Sequence, residues 1–99
     1  MALDPAATVA RTRRTWDDHI RPALEDYIRV PALSVAFDPD WEANGHLDAV
    51  VEAAATWARS RTVAGLSVEV VRLPGRTPVL WFEVPATDPD ASPDDTVLL

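Results

Sequence analysis

Cysteine is absent from this 99-residue sequence. That excludes a disulfide framework, a thiol nucleophile and a thiolate metal site. Lysine is absent too, so all nine basic residues are arginine. Schiff-base chemistry and a lysine general base go with it. Only His19 and His46 are available as imidazoles. No apolar run approaches the ~20 residues that a membrane-spanning helix needs. Residues Met1 to Pro5 have neither the basic flank nor the apolar core of a signal peptide. A cytoplasmic protein is expected.

What remains is an ordinary globular composition, 47% hydrophobic, with room for one domain. The charge is uneven. Residues 1–37 carry five arginines and five carboxylates, whereas residues 38–99 carry four arginines against eleven carboxylates. The net charge of −7 therefore resides in the second part. Neither nucleic acid nor an anionic membrane is an expected partner for so acidic a chain.

Residues 1–14, rich in Ala, Thr and Arg, lack clean periodicity and read as an arm or a frayed first turn, and residues 15–99 as the folded portion. Trp16, Ile20, Leu24, Tyr27 and Ile28 recur at helical spacing. Thr15 is the expected N-cap, with Asp17 and Asp18 in the first turn. Pro22 should kink or restart this helix, and Pro31 should stop it. A connector follows, with a turn at Asp38, Pro39 and Asp40 flanked by Phe37 and Trp41. The second helix is the best defined. Its apolar stripe is Leu47, Val50, Val51, Ala54, Trp57 and Ala58, with Asn44 as N-cap and Gly65 at its stop.

From Leu66 the period becomes two, predicting a strand. Pro74-Gly75 suits a type II turn. Val79 to Phe82 is apolar on both faces and reads as a strand buried on both sides. Residues 86–95 form an acidic loop, and a third strand is expected from about Thr96. No internal repeat is present. The predicted class is α/β, two helices followed by a β-hairpin and a third strand, with helices covering the sheet. Two helices hardly suffice to cover strands so apolar.

Few constellations carry chemistry. Gly45-His46-Leu47-Asp48 has the form of a zinc-binding run, in which a histidine ligates and a carboxylate orients. Its setting is a helix start, so it is read as a solvated histidine and a first-turn aspartate. His19 has no companion at i+4. Ser34, Ser60, Ser67 and Ser92 lack a nucleophile-elbow context. Asp38, Asp40 and Glu42 fit a rigid turn better than a calcium site. Asp88, Asp90, Asp94 and Asp95 read as a solvated loop. The four tryptophans fall where core is expected. Gly75 lies in a turn and makes no phosphate loop. No catalytic, cofactor-binding or metal-ligating residue is assigned within the chain.

The segments YIRVPALS (27–34), FDPDWEANGHLD (37–48), VEVVRLPGRTPVLWFEVPAT (68–87) and DDTVLL (94–99) occur in an order that resembles the N-terminal stretch of the co-catalytic zinc metallopeptidases, the group of aminoacylase, glutamate carboxypeptidase and carnosinase-like dipeptidases. The likeness runs from about Thr15 to Leu99. It implies an incomplete N-terminal part of a zinc-exopeptidase-like α/β/α sandwich. In that family the first ligand-bearing Gly-His-x-Asp motif follows the strand that DDTVLL resembles, so Gly45–Asp48 does not correspond to it. For a full-length parent the resemblance implies two zinc ions, metal-assisted hydrolysis of an amide bond, and a peptide or N-acyl amino acid as substrate. The 99 residues alone are expected to be inactive and to self-associate through an open strand edge. The alternative is a stand-alone small α/β module that binds a partner without catalysis.

Overall fold

The computed structural model describes residues 2–99; Met1 of the predicted arm lies outside them. Helix α1 spans Pro5–Thr15, a π-helical turn spans Trp16–Ile20, and α2 spans Arg21–Arg29. After an irregular connector come α3 (Trp41–Asn44) and α4 (His46–Arg59), then β1 (Ser67–Val71) and β2 (Val79–Glu83). A short 3₁₀ turn at Pro93–Asp95 follows. The strands pair antiparallel, Ser67 opposite Glu83 through Val71 opposite Val79.

The expected arm is instead the helix α1. Asp4 caps it, its Oδ1 accepting from the Ala6 and Ala7 amides at 2.9 and 3.2 Å. Pro5 stands in the first turn, where its missing N–H costs nothing. Ala and Arg are strong helix formers, so propensity suffices without an apolar stripe. None of α1 is buried. Thr15 consequently lies inside the helical run (φ −60°, ψ −40°) and caps nothing.

Pro22 restarts the helix, as its ring chemistry demands. It has no N–H to offer, and its ring would press on the Asp18 carbonyl in a regular α-helix. The preceding turn widens instead. The Arg21 amide donates to the Trp16 carbonyl, an i to i+5 bond, and α2 resumes with Pro22 in its first turn. Val30, held extended by Pro31, ends α2 (φ −77°, ψ 124°).

Asn44 is not the cap of the long helix. It ends α3, and its Nδ2 donates to Asp38 Oδ1 at 2.8 Å, closing the turn read from Asp38-Pro39-Asp40. Gly45, left-handed at φ +71°, makes the corner between α3 and α4.

Helix α4 organises the fold. Its predicted stripe faces inward, with Val50 and Ala58 buried and Leu47, Val51, Ala54 and Trp57 half-buried. Ala55, which the stripe omits, is completely buried. Small residues there let β1 and β2 approach α4 closely. The Pro74-Gly75 turn forms as expected: Gly75 has φ +69°, and the Arg76 amide donates to the Leu73 carbonyl at 3.1 Å. Gly65 does not end α4, which stops at Arg59. It makes the turn into β1, left-handed at φ +75°.

Three further expectations are corrected. No third strand forms: Thr96 to Leu99 is irregular and pairs with neither free edge of the β1-β2 sheet, so the extended backbone has no ladder to make it a strand. Strand β2 is not covered on both sides: α4 shields part of one face, leaving Trp81 46% and Phe82 47% exposed. Nor do the tryptophans form a core, since Trp16 is exposed and Trp41 and Trp57 are half-buried. The stripe on α2 is uncovered as well, with Ile28 75% exposed.

The consequence is an open molecule. Its radius of gyration is 17.2 Å, with extents of 50 × 33 × 22 Å. A compact chain of this length has about 13 Å. The accessible surface is 8347 Å², against roughly 5,500 Å² for a compact monomer of this mass. Secondary structure is well specified, and layered burial is not.

Candidate functional site

The most organised polar cluster ties the hairpin to α4. Arg72 follows the last residue of β1, and Asp48 and Glu52 stand one turn apart on α4. Arg72 Nε and Nη2 donate to Asp48 Oδ1 at 3.0 and 2.8 Å, and Nη2 also donates to Glu52 Oε1. The hydrogen bonds it donates to Glu52 first and Asp48 second hold the Arg72 guanidinium above its ordinary pKa. The stability linked to this raised pKa is lost as pH rises through the arginine range, and the guanidinium is charged at every ordinary pH. The cluster therefore acts as a permanently charged clip. Arg59 adds a second tie from α4, its Nη2 donating to the Val68 carbonyl at 3.3 Å.

Beside the clip lies a cleft of about 440 Å³ between the α3–α4 corner and the Pro74-Gly75 turn, lined by Trp41, Glu42, Arg72 and Arg76 among others. A second groove of about 350 Å³, mainly apolar, lies between the connector and α4 and includes Val35, Leu47, Val51 and Pro78. Neither brings a nucleophile to a base.

His46 is the first residue of α4, and Asp48, two residues on, is engaged by Arg72. His19 lies exposed in the π-helical turn. Ser60 Oγ donates to the Trp57 carbonyl at 2.6 Å, and Ser92 Oγ accepts from the Asp94 amide at 3.2 Å. Ser67 Oγ lies 3.5 Å from the Glu83 carbonyl oxygen. These three hydroxyls serve local backbone. The carboxylates of the acidic loop do likewise: Asp88 Oδ1 accepts from the Asp90 amide, and Asp95 Oδ2 from the Ser92 amide.

The residues present do not fit a two-zinc centre. Asp48, the carboxylate nearest His46 in sequence, is already neutralised by a guanidinium, which a dication would have to displace. Among the described residues, no group of three or more His, Cys, Asp or Glu could hold a metal ion. No helix among them is long and apolar enough to cross a membrane.

Sequence reading passed over the Arg72 clip. Arg72 and Asp48 are 24 positions apart, and nothing local marks the pair. The one available signal was the i, i+4 spacing of Asp48 and Glu52 on the polar flank of α4. The chain matches no protein-family model, and no curated protein matches it.

Proposed function

We propose that the 99 residues are the N-terminal portion of a zinc-dependent hydrolase of the dipeptidase or carboxypeptidase kind, inactive alone and serving as scaffold for a longer catalytic domain. The observation that carries this reading is the uncovered surface. The hairpin has α4 on one face. On the other, Val79 and Trp81 are exposed and Val71 is half-buried, beside the polar Ser67, Glu69 and Glu83. The run Val79 to Phe82, apolar on both faces, is of the kind found in strands covered on both sides. The resembling segments lie on successive parts of the fold. YIRVPALS covers the end of α2 and the start of the connector, FDPDWEANGHLD covers α3 and the start of α4, and VEVVRLPGRTPVLWFEVPAT covers the hairpin. The amide-bond chemistry, its metal ions and its peptide or N-acyl amino acid substrate belong to the parent. A stand-alone partner-binding module is the second reading, favoured by the Arg72 and Arg59 ties that hold the hairpin on α4.

Sequencing genomic DNA beyond the Leu99 codon tests the choice. The expected result is an open frame that soon reads Gly-His-x-Asp. A stop codon with no such motif downstream would overturn the hydrolase reading. The purified 99-residue chain is expected to hold no stoichiometric zinc by plasma mass spectrometry and to cleave no dipeptide. Tight zinc at one per chain, lost in His46→Ala, would show that His46 had been misjudged.

A further inference from the structure

We propose that Asn44-Gly45 is a modification site: Asn44 deamidates through a succinimide, and the α3–α4 corner holds that reaction back as long as Asp38 grips the Asn44 amide.

Asn44 is the one side-chain amide in the chain, which has no glutamine. The next residue is glycine, whose backbone nitrogen has no Cβ beside it to hinder its approach to a carbonyl carbon. Asn44 is exposed, so water reaches its carboxamide. Solvent base takes the Gly45 N–H proton, and that nitrogen bonds to Asn44 Cγ. The Cγ–Nδ2 bond then breaks, and ammonia leaves with a proton from water. Water next adds to either carbonyl of the five-membered ring and opens it. The product is an aspartate, or an isoaspartate in which the main chain runs through the former side chain.

The corner restrains each reacting group. The Gly45 amide, the nucleophile, donates to the Trp41 carbonyl at 3.1 Å. Asn44 is the last residue of α3, and a helical side chain leans toward the N-terminus, away from the amide that follows it. The leaving nitrogen, Nδ2, donates to Asp38 Oδ1 at 2.8 Å. A carboxylate on that N–H favours the amide's own resonance and makes Cγ a poorer electrophile. Its charge also opposes the oxyanion that attack creates. Deamidation replaces the donor with a second carboxylate facing Asp38. A charge-assisted bond becomes a like-charge contact, and the turn that it closes must open. Helix α4 starts at this corner, and Trp41, Glu42 and Gly45 line the cleft beside the Arg72 clip, so the conversion alters one wall of that cleft for good.

Intact-mass spectrometry and ammonia release, followed over days in mildly alkaline buffer, test this on the folded chain, with peptide mapping to place the change at residue 44. The reference is a free peptide of residues 37–48, which has the same sequence without the fold. The peptide should convert roughly tenfold faster than the folded chain, and the chain should release no more ammonia than its single carboxamide holds. In the folded chain Asp38→Ala should speed conversion roughly tenfold, the effect of losing one charge-assisted hydrogen bond. Circular dichroism checks that its helix is retained. Asp38→Ser, which keeps a short uncharged acceptor, is the second variant should Asp38→Ala lose its helix, and it should speed conversion too. In the peptide Asp38→Ala should change nothing. Asp40→Ala, whose lost carboxylate makes no hydrogen bond to Asn44, should leave the folded chain's rate as it was. A folded chain that converts as fast as the peptide, or a peptide that does not convert, would overturn the proposal. So would a folded Asp38 variant at the original rate, equal acceleration in the peptide, or equal acceleration by Asp40→Ala.

Discussion

Ala55→Asp should abolish the cooperative unfolding transition. Ala55 is the most buried residue of the chain, set in α4 where the helix meets the hairpin. An aspartate there has a side chain too short to reach water, and Arg59, one turn further along α4, is already engaged by the Val68 carbonyl. An unpaired buried carboxylate costs several kcal/mol even after relaxation. Among the described residues only Val50 and Ala58 share the core, and a domain with so little burial has only a few kcal/mol to lose. Urea titration followed by helical ellipticity should show a broad, non-cooperative decline. Ala53→Asp, two residues away on the exposed side, is the control. It carries only the helix-propensity difference of about 0.7 kcal/mol. Equal damage from both variants would mean that the α4–hairpin contact is not the core.

Gly65→Val should be the next most damaging substitution. Gly65 sits at φ +75°, a left-handed conformation that a β-branched residue adopts only under strain. Space is also lacking. A Cβ at this position would stand 2.9 Å from Pro85 Cγ and 3.0 Å from Pro85 Cδ. Those are atoms of a ring fixed to its own backbone, so they cannot swing aside. Backbone strain alone costs about 1–3 kcal/mol, and the contact adds to it. Because Gly65 opens β1 and Pro85 follows β2, the whole end of the hairpin must shift. Thermal denaturation should show a fall of ten degrees or more, since each kcal/mol moves the midpoint by about 4–8 °C in a chain this small. Gly75→Val, also at positive φ but with nothing near its missing Cβ, should cost less. Equal losses would show that Pro85 contributes nothing.

Local chemistry made much of this fold legible. The α4 stripe, the Pro22 restart, the stop at Pro31 and the Pro74-Gly75 turn each depend on residues within one or two turns of one another. Helix α1 was missed because amphipathic spacing was taken as the mark of a helix. Asp4, Pro5 and a run of good helix formers make one without it. Ala55 was missed because alanine carries too little surface to announce a buried position. The larger errors have a different source. The exposure of Trp16, Trp81 and the α2 stripe depends on what lies opposite them, and periodicity is silent on that. The same holds for the third strand, since Thr96 to Leu99 has a strand's residues and lacks a neighbour. The Arg72 clip spans elements distant in sequence and could be found only in three dimensions. For function, the hydrolase reading is a proposal drawn from the resembling segments, while the described residues form an open sheet clipped to α4 by Arg72.

The widened turn at Trp16–Ile20 acts as a phase shifter for the long N-terminal helix. An α-helix advances 100° per residue, so the one extra residue in the π-helical turn sets the azimuth of everything after it. Leu24 and Tyr27 point where they do because of that insertion. A regular α-helix through the same residues would turn the Leu24–Ile28 face of α2 by about 100° relative to α1. The direction of that exposed face is therefore encoded in one widened turn, which Pro22 enforces by making the regular helix sterically costly.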